Sequence, residues 1–396
     1  MSVLAPTVPS SPIVAKDAIR VMVVDDAVVV RTLLSRWVDD APDMKLVAAL
    51  RTGREAVDQF TQHDPDVVVL DVDMPELDGI STLPLLFEKK RDVTVIMVSA
   101  LTRDNAEVTL KALALGAADY IPKPVSEGGV ITASGFQREL IEKIRALGSR
   151  RARRALPPAE ARPIATPATR RLAGAVQRVA RWQKPTTTTD PAGYELRLFS
   201  PVIPRVLVIG ASTGGPQALT KLVARLEAVT DTAPVLITQH MPATFTTILA
   251  EHLSRASGKV AREAIDGEPI LAGHIYLAPG GRHMKVARRN GTAVIVIDDG
   301  PQVNYCKPSV DPLFMSAAEV WGAWNLAVVL TGMGSDGSKG AAQIVAAGGS
   351  VIAQDEATST IWGMPGAVAE AGLCAAVLPL DQIAPKVVRL FLGARS

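Results

Sequence analysis

A chain of 396 residues is longer than one hydrophobic core normally sustains, so two domains of roughly 100 to 200 residues each are expected. Hydrophobic residues make up 48% and charged residues 21%, which excludes a largely disordered chain. The 42 basic and 40 acidic residues leave a net charge of +2, too little for a global field toward nucleic acid or acidic membranes.

Cys306 and Cys374 form no CxxC pair and no His cluster lies at metal spacing, so neither a disulfide framework nor a structural zinc site is suggested. Both read as buried thiols. The first twenty residues hold Pro6, Pro9 and Pro12 without an apolar core behind a basic start, and no stretch approaches 18 uninterrupted apolar residues. A cytoplasmic protein, not inserted in a membrane, is the expectation.

From Ile19 short apolar runs alternate with helical periodicity: VMVV before Asp25, a helix over about 28–38, VVVL before Asp71 and VIMV before Ser99. A helix over about 105–115, a short strand at AADYI and an amphipathic helix over 136–147 close the pattern, five strands in all. Such alternation predicts a parallel sheet covered on both faces by helices. The stretch GGVITASG at 128–135 is an unusual lead into the last helix.

Between Gly148 and Ser200 eleven Lys or Arg face three Asp or Glu, with scattered prolines and the run Thr186 to Thr189. This reads as a linker, with helical potential near 170–181. Its arginine groups invite a nucleic-acid reading. No aromatic interleaving or helix-turn-helix accompanies them, and no nucleic acid is expected as a partner.

A second, larger alternation starts at Arg205: VLVIG, a helix over about 215–228, the strand PVLIT and a helix over 245–255. Strands at IYLAP and AVIVI, a helix over 310–321, the strand LAVVL, a helix over 337–347, the strand SVIAQ and two helical stretches follow. The expected boundaries are a tail over 1–18, a first domain over 19–147, a linker over 148–203 and a second domain over 204–396.

Chemistry in such sheets belongs at the carboxyl ends of strands. In the first domain Asp25 and Asp26 follow one strand, Asp71 ends a second, Ser99 ends a third, and Lys123 follows the fifth. Clustered carboxylates suit a hard divalent ion such as Mg²⁺, which would neutralise a phosphoryl group whose other oxygens a lysine and a hydroxyl hold. Any one such Asp is often only a turn residue or helix cap. Together, VDD, LDVDMPELDG, SA and KP resemble the receiver domain of two-component response regulators, a five-stranded flavodoxin-like fold. The resemblance implies phosphorylation of Asp71, a Mg²⁺ pocket from Asp25, Asp26, Asp71 and the backbone carbonyl of Asp73, and phosphoryl contacts from Ser99 and Lys123. It also makes Tyr120 the aromatic switch residue, and Lys123–Pro124 a candidate cis bond.

In the second half VLVIG runs through Ser212 into GASTGG and a helix, a strand-to-helix turn of small residues that can expose a serine hydroxyl. A dinucleotide-binding turn is the rival. Gly210, Gly214 and Gly215 do not make G-x-G-x-x-G, and the next strand ends in Gln239-His240 where a ribose-binding carboxylate belongs. Asp336 stands among glycines after LAVVL. A serine needs a base to take its proton, and an imidazole serves best when a carboxylate orients it, so Ser212, His240 and Asp336 suit a triad. Their chain order differs from those of α/β-hydrolases and the familiar serine proteases.

GASTGG, QHMP, IYLAPGGRHM, KPSVDPLFMSAA, TGMGSDG and AQDEATSTIWGMPGAV resemble the catalytic domain of the chemotaxis protein-glutamate methylesterases, the CheB family. The resemblance implies a doubly wound α/β methylesterase domain controlled by the receiver. Its reactions would be hydrolysis of glutamyl methyl esters on chemoreceptors and deamidation of certain receptor glutamines. Methylated chemoreceptors would be the substrate and a chemotaxis histidine kinase the phosphodonor, with no cofactor in the hydrolase site. Thr213 and Met333 would lend backbone N–H groups to the oxyanion. His283 and Ser309 to Asp311 match the same text and read as structural.

Overall fold

The structure is a computed structural model and describes residues 18–123, 133–154, 188–189 and 193–394. The N-terminal tail, the Lys123–Pro124 bond, most of the stretch 128–135 and the basic segment near 170–181 lie outside the described residues.

The first unit runs β1 (Ile19–Val24), α1 (Val28–Asp39), β2 (Met44–Leu50), α2 (Gly53–His63) and β3 (Val67–Asp71), then α3 (Gly79–Lys89), β4 (Thr94–Ser99), α4 (Arg103–Ala114), β5 (Asp119–Pro122) and α5 (Ala133–Arg154). The five strands are parallel in the order β2-β1-β3-β4-β5. VMVV, VVVL and VIMV are buried on both faces, as continuous apolar runs in a central parallel sheet must be. Helix starts are set locally: the hydroxyls of Thr52 and Thr102 and the Asp78 carboxylate accept from the Glu55, Asn105 and Ser81 N–H groups.

A two-stranded antiparallel pair, β6 (Thr188–Thr189) and β7 (Glu195–Leu196), lies within the expected linker. Next come β8 (Val206–Ala211), α6 (Gly215–Val223), α7 (Glu227–Thr230), β9 (Val235–Gln239), α8 (Ala243–Ser257), β10 (Val260–Glu263) and β11 (His274–Leu277). After β12 (His283–Arg289) and β13 (Thr292–Asp298) the chain continues through α9 (Val310–Trp321), β14 (Asn325–Val329), α10 (Ser338–Ala346), β15 (Ser350–Gln354), α11 (Met364–Glu370), β16 (Ala376–Leu378) and α12 (Leu380–Phe391). Seven strands form one parallel sheet, β10-β11-β9-β8-β14-β15-β16.

Two expectations need correction. AVIVI is a strand, but it pairs antiparallel with β12 in a separate hairpin and does not join the large sheet. The helix expected over 215–228 breaks into α6 and α7. Trp324 is 40% exposed and lies under the Arg205 guanidinium at 4.8 Å, while Trp321 rests against the core.

From β8 the chain winds one way through β9 and β11, then returns to place β14 on the other side of β8. The loops after β8, β9 and β14 therefore diverge at one switch point, where a doubly wound sheet leaves a crevice. Gly332 lets two of these loops meet, since a Cβ there would lie 2.8 Å from the Ser212 Cβ.

The two sheets share apolar packing. Leu110, Leu113 and Tyr120 of the first unit and Phe245, Ile248 and Leu249 of α8 belong to one continuous buried cluster. The Tyr120 ring stacks on Phe245 at 4.5 Å and 11°. The Gln217 amide donates to the carbonyls of Leu113 (3.3 Å) and Ala117 (3.0 Å). The exposed Arg103–Glu251 pair at 2.9 Å contributes little, about 0–1 kcal/mol.

Candidate functional site

At the carboxyl edge of the first sheet, oxygen atoms of Asp25, Asp26 and Asp71 lie within 4.8 Å of one another. The Lys123 ammonium is 2.8 Å from Asp71 Oδ2 and 3.2 Å from Asp25 Oδ2. Burial pushes the Asp71 carboxyl up to about 6 against the pull of Lys123, and burial likewise raises Asp25. One lysine thus faces two buried carboxylates, and the Asp25 Oδ2 accepts no hydrogen bond. The residues present fit a divalent cation: an all-oxygen donor set, largely dehydrated, with more negative than positive charge.

The other residues of this edge are engaged elsewhere. The buried Ser99 hydroxyl accepts from Thr109 Oγ1 at 2.9 Å and lies 3.4 Å from the Ala100 and Asn105 carbonyls, turned toward α4. The Asp73 carboxylate accepts from the Asn105 amide at 2.7 Å. Tyr120, only 5% exposed, is already turned inward against Phe245.

At the second crevice Ser212 follows β8, His240 follows β9 and Asp336 follows β14. The Ser212 N–H donates to the Thr331 carbonyl at 3.0 Å, and the His240 N–H to the Ala211 carbonyl at 3.1 Å. The Gln239 amide ties both loops by donating to the carbonyls of Ser212 (2.9 Å) and His240 (3.1 Å). His240 Nε2 meets Asp336 Oδ2 at 2.8 Å.

Asp336 is 2% exposed and heavily held. Its carboxylate accepts from the Ser309 hydroxyl (2.8 Å), the Asn304 amide (2.8 Å), and the Val310 (2.6 Å) and Gly337 (3.0 Å) N–H groups. Burial alone would raise its pKa. The His240 hydrogen bond and charge, the Val310 N–H at the start of α9 and the Ser309 hydroxyl outweigh burial and hold the carboxyl well below the usual range.

The structure joins His240 to Asp336, but among the described residues no hydrogen bond joins the Ser212 hydroxyl to His240. The ring nitrogen left for that bond, Nδ1, lies 3.4 Å from the Cys306 sulfur. Cys306 is therefore not a buried thiol: it is half-buried and lines the crevice, whereas Cys374 is fully buried and its thiol is pushed up to about 12 by burial. Burial opposes a charge on His240, while the Cys306 sulfur and the Asp336 carboxylate at its two nitrogens favour the charged form and raise its pKa.

Thr213 and Met333 flank the crevice, and the backbone N–H of neither makes a hydrogen bond among the described residues. The Thr213 side chain points the other way, donating to Asp119 Oδ2 of the first sheet at 2.8 Å. His283 is structural, its ring 3.0 Å from the Pro301 carbonyl and accepting from the Ser309 N–H at 3.1 Å. The Asp311 carboxylate accepts from the Gly340 N–H and the Asn304 amide. Sequence reasoning missed Asn304, Cys306, Gln239 and Asp119; only Asp119, a charged residue within a short apolar strand, carried a signal.

Two family models match the chain: CheB methylesterase over residues 207–387 and response regulator receiver domain over 21–134. A Rhodopseudomonas palustris protein named protein-glutamate methylesterase/protein-glutamine glutaminase of group 2 operon is 59% identical over 396 residues, 100% of both chains. The chain belongs to this methylesterase/glutaminase family. Another member, from Nitrobacter hamburgensis, is 59% identical over 381 residues, 96% of each chain. The crystal structure of the Thermotoga maritima CheB methylesterase catalytic domain is 40% identical, covering 48% of this chain and 100% of that one, with a TM-score of 0.46. A five-stranded receiver sheet precedes the methylesterase sheet in the chain. Among the described residues no helix is long and apolar enough to cross a membrane.

Proposed function

We propose that the chain is a phosphorylation-activated serine hydrolase that removes methyl groups from glutamyl methyl esters of chemoreceptors and converts certain receptor glutamines to glutamate. Ser212 is the nucleophile, His240 the base and Asp336 its orienting carboxylate. The observation that carries this reading is the buried His240–Asp336 bond beside Ser212 at the switch point of the larger sheet.

Ser212 Oγ attacks the ester carbonyl as His240 Nδ1 takes its proton, while Asp336 on Nε2 stabilises the imidazolium. The same ring then protonates the departing methanol and activates water against the acyl-enzyme. N–H groups of Thr213 and Met333 receive the oxyanion, each worth roughly 10²- to 10³-fold in rate. A hydrogen bond from Ser212 to His240 that forms only with substrate in place accords with this scheme, since catalytic contacts in a free enzyme are often long.

Asp71 is the phosphoacceptor. Asp25, Asp26, Asp71 and the Asp73 carbonyl would hold Mg²⁺, which when bound shields the carboxylates from an incoming phosphoryl group. Lys123 holds a phosphoryl oxygen, and Ser99 reaches another by leaving Thr109. A chemotaxis histidine kinase is the donor, the receptor's cytoplasmic part the substrate, and the cytoplasm the site of action. The domain limits 19–147 and 204–396, with a tether between them, accord with the two sheets.

Methanol release from methylated receptor membranes, with and without a small phosphodonor, tests the reading. Turnover that rises with the phosphodonor and vanishes in Ser212→Ala is expected. Retained turnover in that variant would remove the nucleophile, and equal rates under both conditions would remove the switch.

A further inference from the structure

Cys306 stands in a tight loop, where Val303 and Cys306 bridge each other and Asn304 and Tyr305 take φ values of 51° and 62°. That conformation is uncommon for residues with side chains and fixes the sulfur against the crevice. Neighbouring groups lock the loop: Asn304 holds both Asp311 and Asp336, and Arg138 of the receiver lies over the Tyr305 ring at 4.6 Å.

The sulfur lies 3.4 Å from His240 Nδ1. In tetrahedral zinc sites Zn–S is about 2.3 Å and Zn–N about 2.0 to 2.1 Å, which sets a cysteine sulfur and a histidine nitrogen about 3.5 Å apart. The two donors of this crevice already have that spacing. The other nitrogen of the same ring donates to the Asp336 carboxylate at 2.8 Å, the partner that orients and strengthens a metal-binding histidine. Cys306, His240 and Asp336 form a compact cluster within 4.8 Å that no part of the ester-hydrolysis scheme uses as such.

We propose that Cys306 and His240 form an inhibitory site for a thiophilic divalent cation of the zinc class, with Asp336 as the carboxylate behind the histidine. Two protein donors leave the remaining positions to water, so the ion binds reversibly. Binding consumes the lone pair on Nδ1 that would take the Ser212 proton, so a loaded site has no base. The metal displaces the thiol proton and any proton on Nδ1, so its affinity rises with pH. Carboxylates alone would select Mg²⁺ or Ca²⁺; a thiolate and an imidazole select zinc and its relatives. The inhibitory consequence rests on His240 being the base, whereas the metal site itself does not.

The test uses the full chain. Co²⁺ titration followed by near-ultraviolet absorption is expected to develop a thiolate-to-metal charge-transfer band, and Zn²⁺ to suppress it by competition. The acidic cluster of the receiver contributes nothing to such a band, and Cys374 remains as an internal control. In parallel, Zn²⁺ should stop methanol release, chelator should restore it, and Cys306→Ser should raise the inhibiting concentration by at least about tenfold. Cys306→Ala serves as a second variant for the same comparison, each referred to its own metal-free rate. No band in the native chain, a band unchanged in Cys306→Ser, or equal zinc sensitivity in native and variant chains would overturn the proposal. A Cys306-dependent band in a chain that hydrolyses no receptor ester even without metal would uphold the site and sink the proposed esterase.

Discussion

The Thr213 hydroxyl donates a 2.8 Å hydrogen bond to the Asp119 carboxylate, tying the residue after the proposed nucleophile to the last strand of the receiver sheet. Asp119 is also 2.9 Å from the buried Lys143 ammonium, which donates in turn to the Tyr120 carbonyl at 2.7 Å. A charged relay therefore runs from the receiver helix α5 through β5 to the nucleophile turn. Within a dry interface such a charge-assisted bond is worth about 1.5–3 kcal/mol, enough to bias a docked state.

Replacing Asp119 by alanine is expected to raise the methylesterase rate of the unphosphorylated chain several-fold and to shrink the further gain from a phosphodonor. Lys143 retains Glu139 at 3.0 Å, so the receiver should still fold. Methanol release with and without phosphodonor reads both numbers. An unchanged basal rate would show that the relay does not hold the domains together.

Asp336→Asn keeps the size of the side chain but loses the charge that His240, Val310 and Ser309 surround. The ring would then lose the negative charge that stabilises its imidazolium and could be held in the wrong tautomer by the amide N–H, and kcat should fall by about 10³- to 10⁴-fold with little change in KM. Steady-state kinetics on methylated receptors check this. A loss confined to KM would assign Asp336 to substrate binding.

The central strands and the polar residues at their ends were legible because strands buried on both faces read as apolar runs, and chemistry clusters where those runs stop. VARE at β10 escaped because an edge strand needs only one buried face, and Val260 is 52% exposed. AVIVI shows the opposite limit: an apolar run marks a strand, yet nothing local says whether its partner is the large sheet or the neighbouring HMKVARR segment. That Ser212, His240 and Asp336 share one sheet edge could be read from their strand ends alone. Cys306 and Asn304 could not, since they reach the crevice from an irregular loop more than sixty residues from His240 and carry no periodic signal.

Asp71 predicts a pH and cation dependence of stability. Its carboxyl sits at about 6 in the folded chain against 3.8 for the free group. A raised folded value means that stability from this group is fully present below the unfolded value and is lost as pH rises through about 6. The loss is of the order of 3 kcal/mol, with the opposing pull of Lys123 already included. Asp71→Asn should therefore gain in melting temperature over the native chain between about pH 4 and pH 7 in the absence of metal. Mg²⁺ should narrow that gap at neutral pH by stabilising the native chain. Thermal denaturation across pH, with and without Mg²⁺, measures it; a gap independent of pH would remove Asp71 as its source.

Ser99→Ala is expected to separate phosphorylation from its transmission. Its hydroxyl is held by Thr109 at 2.9 Å on the α4 side, and α4 packs on α8 of the hydrolase unit. Drawing Ser99 to a phosphoryl oxygen would break that bond and disturb α4, the helix whose Leu110 and Leu113 join the apolar layer shared with Phe245. Ser99→Ala leaves Asp71, Lys123 and the acidic pocket in place, so Asp71 should still accept a phosphoryl group from a small donor. The variant lacks the hydroxyl that couples the phosphoryl group to α4, and its esterase rate should respond at most weakly to phosphorylation. Phosphorylation stoichiometry and methanol release on the same sample separate the two effects. Full activation in Ser99→Ala would move the coupling to the Asp119 relay alone.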